Sequence, residues 1–192
     1  MVFGQSKYPA DTLLVSKNTS IIKKIGILPI SGFQRISYNL KSMNCQFHPS
    51  CSNYGAQAIK EFGVIRGSFI ASDRIVRCNP TALEYHLKYG GDINRKTLQL
   101  YDPLILPKPL ELKKSPAIAV ALSAIIPGAG RMYSGRWFDG LMGLTRFIFY
   151  SSVTVYAYKK DMNVLAGFAG GITIISYGGE IYGAYRTAKY YQ

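Results

Sequence analysis

The sequence is poor in acidic residues and in charge overall. Only 10 of 192 residues are Asp or Glu and 17% are charged, whereas about 25% is usual in a soluble domain. Aromatic residues are plentiful, with 15 Tyr and 9 Phe, which excludes a disordered polyelectrolyte. Because 23 Lys and Arg give a net charge of +13 to a chain that is 48% hydrophobic, the composition favours a membrane protein with a basic cytoplasmic face over an ordinary cytosolic enzyme.

Cysteine and histidine are also scarce, with three Cys and two His. Three cysteines are too few for a disulfide scaffold, and their odd number leaves one thiol free, so we expect a reducing compartment. Residues 1–16 hold no apolar run long enough for a secretory signal. Two interpretations of residues 2–6 stay open: an unstructured start, or the end of a signal peptide, which would place the domain in the periplasm and allow a disulfide.

Prolines divide the chain near its middle. Pro103, Pro107 and Pro109 favour extended backbone, because each disfavours helix in the preceding residue. We therefore predict an N-terminal tail over 1–19, a helical domain over 20–101, a linker over 102–116 and a membrane domain over 117–192. The predicted fold class is all-α throughout.

The predicted membrane domain combines a short apolar segment with a helical hairpin. Residues 117–126 are too few to span, since about 20 apolar residues are needed, so a tilted or re-entrant segment is expected. Residues 141–158 and 162–185 predict an antiparallel transmembrane hairpin, because only 159–161 connect them. Core helices of a soluble domain are the alternative. The excess of Lys and Arg beside the hairpin ends, weighed against Lys159 and Lys160 at its tip, places both termini in the cytoplasm.

Two charges and three glycines stand out in this hairpin. Arg146 and Glu180 lie toward the same cytoplasmic end, about 9 Å apart in height. Either they form an ion pair, or each reaches the lipid headgroups separately. Gly167, Gly171 and Gly178 share one helix face, where another helix could approach closely, either within the chain or in a homodimer.

The start of the helical domain predicts a basic amphipathic segment. Pro29 is expected to end a first helix, and Ser31 with Gln34 forms a capping-box pattern that opens a second. Such a segment suits the membrane interface, although the same apolar stripe would also serve to cover the domain's own core. The apolar residues are Ile21, Ile22, Ile25 and Leu28, then Phe33, Ile36 and Leu40; the residues expected to contact lipid are Lys23, Lys24 and Arg35 here, with Arg146 and Glu180 in the hairpin.

Two further helices follow. One begins near Ser50 or Ser52, runs to Phe62 and ends at Gly63, with an apolar face of Tyr54, Ala58, Ile59 and Phe62. The next begins at about Gly67 and ends at 78–80. It is expected to turn Phe69, Ile70, Ile75 and Val76 inward, and Arg74 and Arg77 outward.

Motifs over about residues 33–91 resemble the membrane protein insertion efficiency factor family (YidD). Members carry Y-Q-x-x-I-S, C-R-F-x-P-T-C-S-x-Y, G-x-x-x-G and R-C-x-P in this order. Gln46 departs from the family's Arg, Tyr38 stands where Pro is common, and the terminal G-G-x-D-P motif is split between 90–92 and 102–104. The matching residues are Gln34, Cys45, Phe47, Pro49, Cys51, Ser52, Tyr54, Gly63, Gly67, Arg77, Cys78 and Pro80.

The resemblance implies an accessory factor on the cytoplasmic side of a bacterial inner membrane. Such a factor would act beside a YidC-type insertase and the Sec translocon, on nascent membrane proteins and against the phospholipid bilayer. The resemblance implies no enzymatic chemistry and no cofactor. Residues 123–140 are similar to small two-helix membrane modules with a P-G-x-G-x-x-Y-x-G loop, and this similarity supports the topology only.

The cysteines, the histidines and the basic residues allow other functions. Cys45, His48, Cys51 and Cys78 would supply a Cys₃His zinc set, but the spacing is uncommon for ligands, so buried thiols and no metal are expected. A Cys–His nucleophile would need a base in reach and an orienting third residue. The alternatives to an insertion factor are a thiol- or zinc-dependent membrane-bound protein and an RNA-contacting membrane anchor protein, although the basic residues are dispersed.

Overall fold

A computed structural model describes residues 8–40, 45–88, 90–95, 97–105 and 114–191. Helices dominate these residues, and the all-α prediction is confirmed. Residues 1–7 of the predicted tail, residues 106–113 of the predicted linker, and Lys41 lie outside the described residues. The helices are α1 (Pro9–Val15), α2 (Ile21–Ser37), α3 (Cys51–Phe62), α4 (Val64–Arg77), α5 (Ala82–Lys88), α6 (Pro116–Ile125), α7 (Ala129–Tyr133), α8 (Trp137–Lys159) and α9 (Asn163–Tyr190).

A miniature sheet accompanies the helices. Its strands are β1 (Phe47–His48), β2 (Ile93–Asn94) and β3 (Gln99–Tyr101), in the order β1-β3-β2. β1 pairs parallel to β3, with Phe47 opposite Leu100, and β2 pairs antiparallel to β3. The sheet holds the chain after Tyr101 beside α3 and α4, which places Asp102 against Arg74 and Arg77 of α4.

α2 is one helix, so the predicted break at Pro29 and the capping box at Ser31 are wrong. Proline removes one hydrogen bond, to the carbonyl of Ile25, and both residues lie on the exposed side of α2 where that carbonyl stays solvated. Ser31 and Gln34 face inward instead: the Ser31 hydroxyl donates to Asp11 Oδ1 at 2.5 Å, and Gln34 Oε1 accepts the Ala10 N–H at 2.9 Å. These bonds attach α1 to α2.

α3 and α4 form the centre of the first hundred residues. Ser50 caps α3 by accepting the Asn53 N–H, and α3 ends at Gly63 (φ 85°), as predicted. α4 begins at Val64, three residues earlier than expected. The two helices approach closely at Gly67, where a Cβ would lie 2.5 Å from the Ile59 Cα.

The predicted inward face of α4 is only partly right. Ile70 and Val76 are buried and Phe69 is half-buried, but Ile75 is 51% exposed. The polar residues between the apolar ones take the inward positions instead, because the neighbour of this face is a charged part of α9 rather than an apolar core.

α8 and α9 form the predicted hairpin, joined by residues 160–162. Among the described residues, α9 is the one helix long and apolar enough to cross a membrane by length and composition. α6 is the predicted short segment; it packs along the second half of α9, where Ala119, Ala184 and Ala188 form a small cluster. Many large apolar side chains of α8 and α9 are exposed, among them Phe149, Val164 and Phe168.

The hairpin packs directly on α4. Gly178 lies against the Phe69 ring so closely that a Cβ there would overlap it, and Tyr182 packs on the cluster of Tyr54, Ala58 and Ile70. The three glycines therefore do not form one free face for a homodimer. A Cβ on Gly167 or Gly171 would meet open space, whereas Gly178 already serves as a contact within the chain.

Candidate functional site

A buried charge network joins α4, the chain after β3, α7 and α9. None of its side chains belongs to a residue more than 2% exposed. It links the two halves of the chain, because Asp73, Arg74 and Arg77 lie on α4 while Glu180 and Arg186 lie on α9. The charge network consists of Asp73, Arg74, Arg77, Asp102, Arg131, Glu180 and Arg186.

Asp102 is one of its two centres. Its Oδ2 accepts hydrogen bonds from Arg74 Nη1 and Arg77 Nη1. Its Oδ1 accepts from Arg186 Nη2 at 2.9 Å and from the Tyr191 hydroxyl at 3.0 Å. One carboxylate therefore connects the end of α4 to the end of α9.

Asp73 is the second centre. Arg77 Nε donates to its Oδ2 at 3.0 Å, Arg131 Nη2 lies 2.8 Å from its Oδ1, and Arg186 Nη1 lies 3.5 Å from its Oδ2. Three cations from three helices surround this carboxylate, which sits on α4 where it faces the backbone of Gly183.

Arg131, rather than Arg146, pairs with Glu180. Arg131 Nε donates to Glu180 Oε2 at 2.9 Å, and the carboxylate is fully buried. The expected Arg146–Glu180 pair and the expected lipid contact of Glu180 are both wrong. The reason is the turn at Gly128 (φ 91°), which brings α7 back against α8 and α9. Arg146 itself is half-buried in α8.

Arg74 and Arg77, expected to point outward, are also buried. The Arg74 guanidinium carbon lies 3.9 Å from the centroid of the Phe47 ring and 4.7 Å from that of Tyr54. A guanidinium can be buried in this way because its charge meets ring faces and a carboxylate at once. The motif residues Phe47 and Tyr54 thus enclose the network, and the motif residue Arg77 belongs to it.

The network sets the pKa values of its carboxyl groups. Burial by itself raises the pKa of Asp73, but the charges of Arg77, Arg131 and Arg186 outweigh it and lower the pKa to about 2. Burial likewise raises the pKa of Asp102, and the arginines around it hold that pKa well below its usual range. Both carboxylates are therefore ionised at any physiological pH.

Three of the four residues in the predicted zinc set come together. The Sγ atoms of Cys45, Cys51 and Cys78 all lie within 4.8 Å of one another, and no disulfide joins them. His48 is not part of this group; its ring stacks on Tyr101 with centroids 6.3 Å apart. Of the Cys₃His candidate set, for which the sequence favoured buried thiols without metal, three thiols from three segments lie together.

α2 presents its apolar side outward. Its buried side consists of Ile27 with the polar residues Ser31, Gln34 and Ser37. The outward apolar stripe, here called the α2 stripe, is exposed, so the interpretation that it covers the domain's own core is wrong, while its contact with the membrane interface stays a prediction. The α2 stripe consists of Ile21 (77% exposed), Ile22, Ile25, Leu28, Phe33 and Ile36.

The basic residues of α2 differ in their surroundings. Lys23 Nζ donates to the Lys60 carbonyl at 2.6 Å and is turned toward α3. Arg35 is exposed and pairs with Asp11 at 2.9 Å, and Lys24 is half-buried at the edge of the α2 stripe. Lys24 and Arg35 are thus better placed than Lys23 to reach lipid headgroups.

The first turns of the α2 stripe lie toward the hairpin tip. Along α4, Phe69 lies against Gly178, and Asp73, one turn later, lies against Gly183. The two helices therefore progress in the same sense, and the start of α4 points toward the start of α9, where the hairpin turns. Val64, at the start of α4, packs on α2. The start of the α2 stripe and the exposed part of the hairpin thus lie toward one end of the molecule, whereas Gln34, near the other end of α2, bonds Ser52 at the start of α3.

Sequence reasoning missed Asp73, Asp102, Arg131 and Arg186 as site residues. One signal was available: Asp73 and Arg77 are spaced i,i+4 between apolar positions of an amphipathic helix, which is where a buried pair would stand. Asp102 and Arg131 carried no comparable local signal, because their partners are distant in sequence.

Comparisons with known proteins agree with the motifs. The family described as "Putative membrane protein insertion efficiency factor" (YidD) matches residues 22–86. Proteins with that name are similar to this chain: one from Colwellia psychrerythraea is 48% identical over 66 residues, which are 34% of this chain and 80% of the relative. One from Oleidesulfovibrio alaskensis is 48% identical over 59 residues (31% and 69%), and one from Yersinia pestis is 40% identical over 63 residues (33% and 67%).

No solved structure matches the chain. The matched segment includes Asp73, Arg74 and Arg77 but ends before Asp102, so four of the seven residues of the charge network lie beyond it. The family is named for insertion efficiency and not for a reaction. With this identity and with four fifths of a relative covered, the chain belongs to the YidD family of membrane protein insertion efficiency factors.

Proposed function

We propose that this protein is a membrane-anchored accessory factor that assists insertion of integral membrane proteins beside a YidC-type insertase and the Sec translocon. The relatives' names supply the process. The observation that carries the proposal for this chain is the charge network, which fixes the YidD-like helices to a hairpin bearing one helix apolar enough to span.

The α2 stripe supports a working surface at the bilayer. Burying one large aliphatic side chain contributes about 1.5–3 kcal/mol, and the stripe offers several such side chains in a row. Lys24 and Arg35 flank it, and a basic residue near anionic lipid contributes about 1 kcal/mol. Because the first turns of the stripe lie toward the hairpin tip, anchoring and interfacial contact can involve the same bilayer surface.

In this proposal the domain formed by α1 to α5, here called the body, rests on the cytoplasmic leaflet of the inner membrane. The net charge of +13 suits an anionic leaflet. The network makes the body and the hairpin one unit, so an insertase that contacts the hairpin in the bilayer also meets the body at the surface. A nascent membrane protein would then be received at a fixed place.

An insertion assay tests the proposal. Inverted inner-membrane vesicles that lack the protein are supplied with the full chain, and the fraction of a nascent membrane protein that becomes protease-protected is measured. Ile25→Asp within the α2 stripe is expected to lower this fraction severalfold. The matched control is Leu98→Asp, since Leu98 is even more exposed than Ile25 (79% against 63%) but lies in the β2–β3 turn. Equal insertion with all three chains, or with none added, would contradict the proposal.

Photocrosslinking tests the partners. A photoreactive residue at exposed Ile65, beside the α2 stripe, is expected to link to the insertase or the nascent chain during insertion. The same residue at Leu87 on α5 serves as the control. Crosslinks to ribosomal RNA in place of protein would favour the RNA-contacting alternative over this proposal.

A further inference from the structure

Three thiols from separate segments converge at the small core beneath β1. Cys45 precedes β1, Cys51 is the first residue of α3 and Cys78 follows α4. Their Sγ atoms lie within 4.8 Å of one another, and those of Cys45 and Cys51 are 3.6 Å apart. In tetrahedral zinc–thiolate centres the metal–sulfur distance of about 2.3 Å places sulfurs roughly 3.8 Å apart. The cluster therefore has the size of a metal centre.

Hydrogen-bond donors surround the sulfurs. The Cys51 N–H points to Cys45 Sγ at 3.4 Å, and Gln46 Nε2 lies 3.4 Å from Cys78 Sγ. Cys51 stands in the first turn of α3, a helix of 12 residues, where the N-terminal end of the helix favours negative charge. N–H donors of this kind orient and stabilise metal-bound thiolates, whereas thiols that only fill an apolar core need none.

A path to the cluster also exists. A cavity of about 480 Å³ opens beside Cys45 and is lined by Gln46, Thr97, Leu98 and Gln99. Of the residues that the structure describes, only the three cysteines belong to the ligand group. A bound ion would therefore keep one coordination position turned toward this cavity or toward solvent.

We propose that Cys45, Cys51 and Cys78 bind one thiophilic d¹⁰ metal ion, Zn²⁺ or Cu⁺, through three thiolates. Both ions prefer soft sulfur ligands, and three thiolates with an open position suit either trigonal Cu⁺ or tetrahedral Zn²⁺ with an exogenous ligand. The ion would tie the segment before β1 to the start of α3 and the end of α4. It would thus hold Phe47 over the Arg74 guanidinium that closes the charge network.

Metal retention tests this site. The full chain is purified without oxygen in detergent, loaded separately with Zn²⁺ and with Cu⁺, desalted and analysed for metal. About one ion per chain is expected in at least one of the two arms, and the arm that retains metal identifies the ion. Serine at any one of the three cysteines is expected to weaken binding at least about tenfold, and His48→Ala is expected to change nothing.

A measurement on the unaltered chain avoids variants that fail to fold. Alkylation followed by mass spectrometry is expected to show all three cysteines protected in the loaded protein and modified once a chelator is added. Equal modification with and without metal, a Cys45–Cys51 disulfide in the protein purified without oxygen, or metal retained only when His48 is present would overturn the proposal. Neither measurement uses membrane insertion, so its outcome is independent of the proposed function.

Discussion

The two halves of α9 have opposite surroundings. From residue 163 to 175 the helix touches little besides α8, and its large side chains, such as Val164, Phe168 and Ile174, are exposed. From 176 to 190 it is enclosed by α4, α6 and α7, and it carries Glu180 and Arg186 into the charge network. One continuous helix thus supplies an apolar surface at one end and ionic attachment at the other.

The difference between the halves shows how one helix can carry both buried charges and an exposed apolar surface. The exposed half rises about 20 Å, which is less than the roughly 30 Å of a bilayer core. Exposed apolar residues of α6, Ile118 and Ile125, extend the apolar surface along the second half. Glu180 and Arg186 of that half face away from this surface, because they point into protein where arginine and carboxylate partners neutralise them.

Acidification should have the largest effect, because it removes the ionic attachment of the second half of α9. The pKa values of Asp73 and Asp102 are lower in the folded chain than the unfolded value of about 3.9, so their stabilisation is present above that value and is lost as the pH falls. The folded chain takes up protons at Asp73 near pH 2 and at Asp102 only at still lower pH, and each protonation removes a partner from the buried arginines. Near-ultraviolet circular dichroism in detergent should report loss of tertiary structure between roughly pH 4 and 2. Unchanged spectra across that window would contradict the role of the network.

Substitution of one carboxylate should have the next largest effect. Asp102→Asn keeps the shape but removes the charge that Arg74, Arg77 and Arg186 share. We expect a loss of about 3–5 kcal/mol in the free energy of unfolding, since the remaining charges stay buried. Asp161→Asn at the hairpin turn is the control, because Asp161 is exposed and its positive φ suits Asn. A loss below that of the control would argue against a shared charge.

Substitution of two glycines, one in each half of α9, should show the difference in packing between the halves. Gly178→Ala places a Cβ against the Phe69 ring, and we expect a loss of about 1–3 kcal/mol from overpacking. Gly171→Ala enters open space and should instead stabilise the helix by about 0.5–1 kcal/mol. Chemical denaturation of both variants in detergent measures the difference. Equal effects would show that the exposed half is also packed against another element.

The smallest effect is expected inside the hairpin. The hydroxyls of Thr154 and Thr173 lie 3.1 Å apart and join α8 to α9 in the exposed half. Thr154→Val should cost about 0.6 kcal/mol, the average for such bonds between membrane helices. Thr145→Val is the control, since the Thr145 hydroxyl bonds only its own helix at Leu141. The difference between the two variants in the same denaturation experiment gives the value.

Sequence reasoning succeeded where the signal was local. Ser50 and Gly63 mark the two ends of α3 by capping and by positive φ, and both were predicted. The apolar residues of the α2 stripe follow from helical spacing alone, and the family follows from motifs. Reasoning failed at Pro29, because the usual helix-breaking effect is small where the freed carbonyl is exposed.

Charged residues were the main source of error. Arg74 and Arg77 were expected outward and Glu180 in lipid, since a single charge is costly to bury. Each of them is buried because an oppositely charged partner from another segment meets it, Asp102 for the two arginines and Arg131 for Glu180. No rule of spacing along the chain reveals such partners. In the long-range bonds of Asp73 and Asp102, the carboxylate and its partner are separated by 25 to 113 residues in the sequence.

The sequence by itself determined the helices, the family and the apolar surfaces, because capping, periodicity and motifs act over a few residues. Only the tertiary structure decided which charges are buried, which arginine neutralises Glu180 and which cysteines meet. The physical reason is that the free energy of a buried charge or thiolate depends on all the groups around it, and folding brings those groups together from distant parts of the chain.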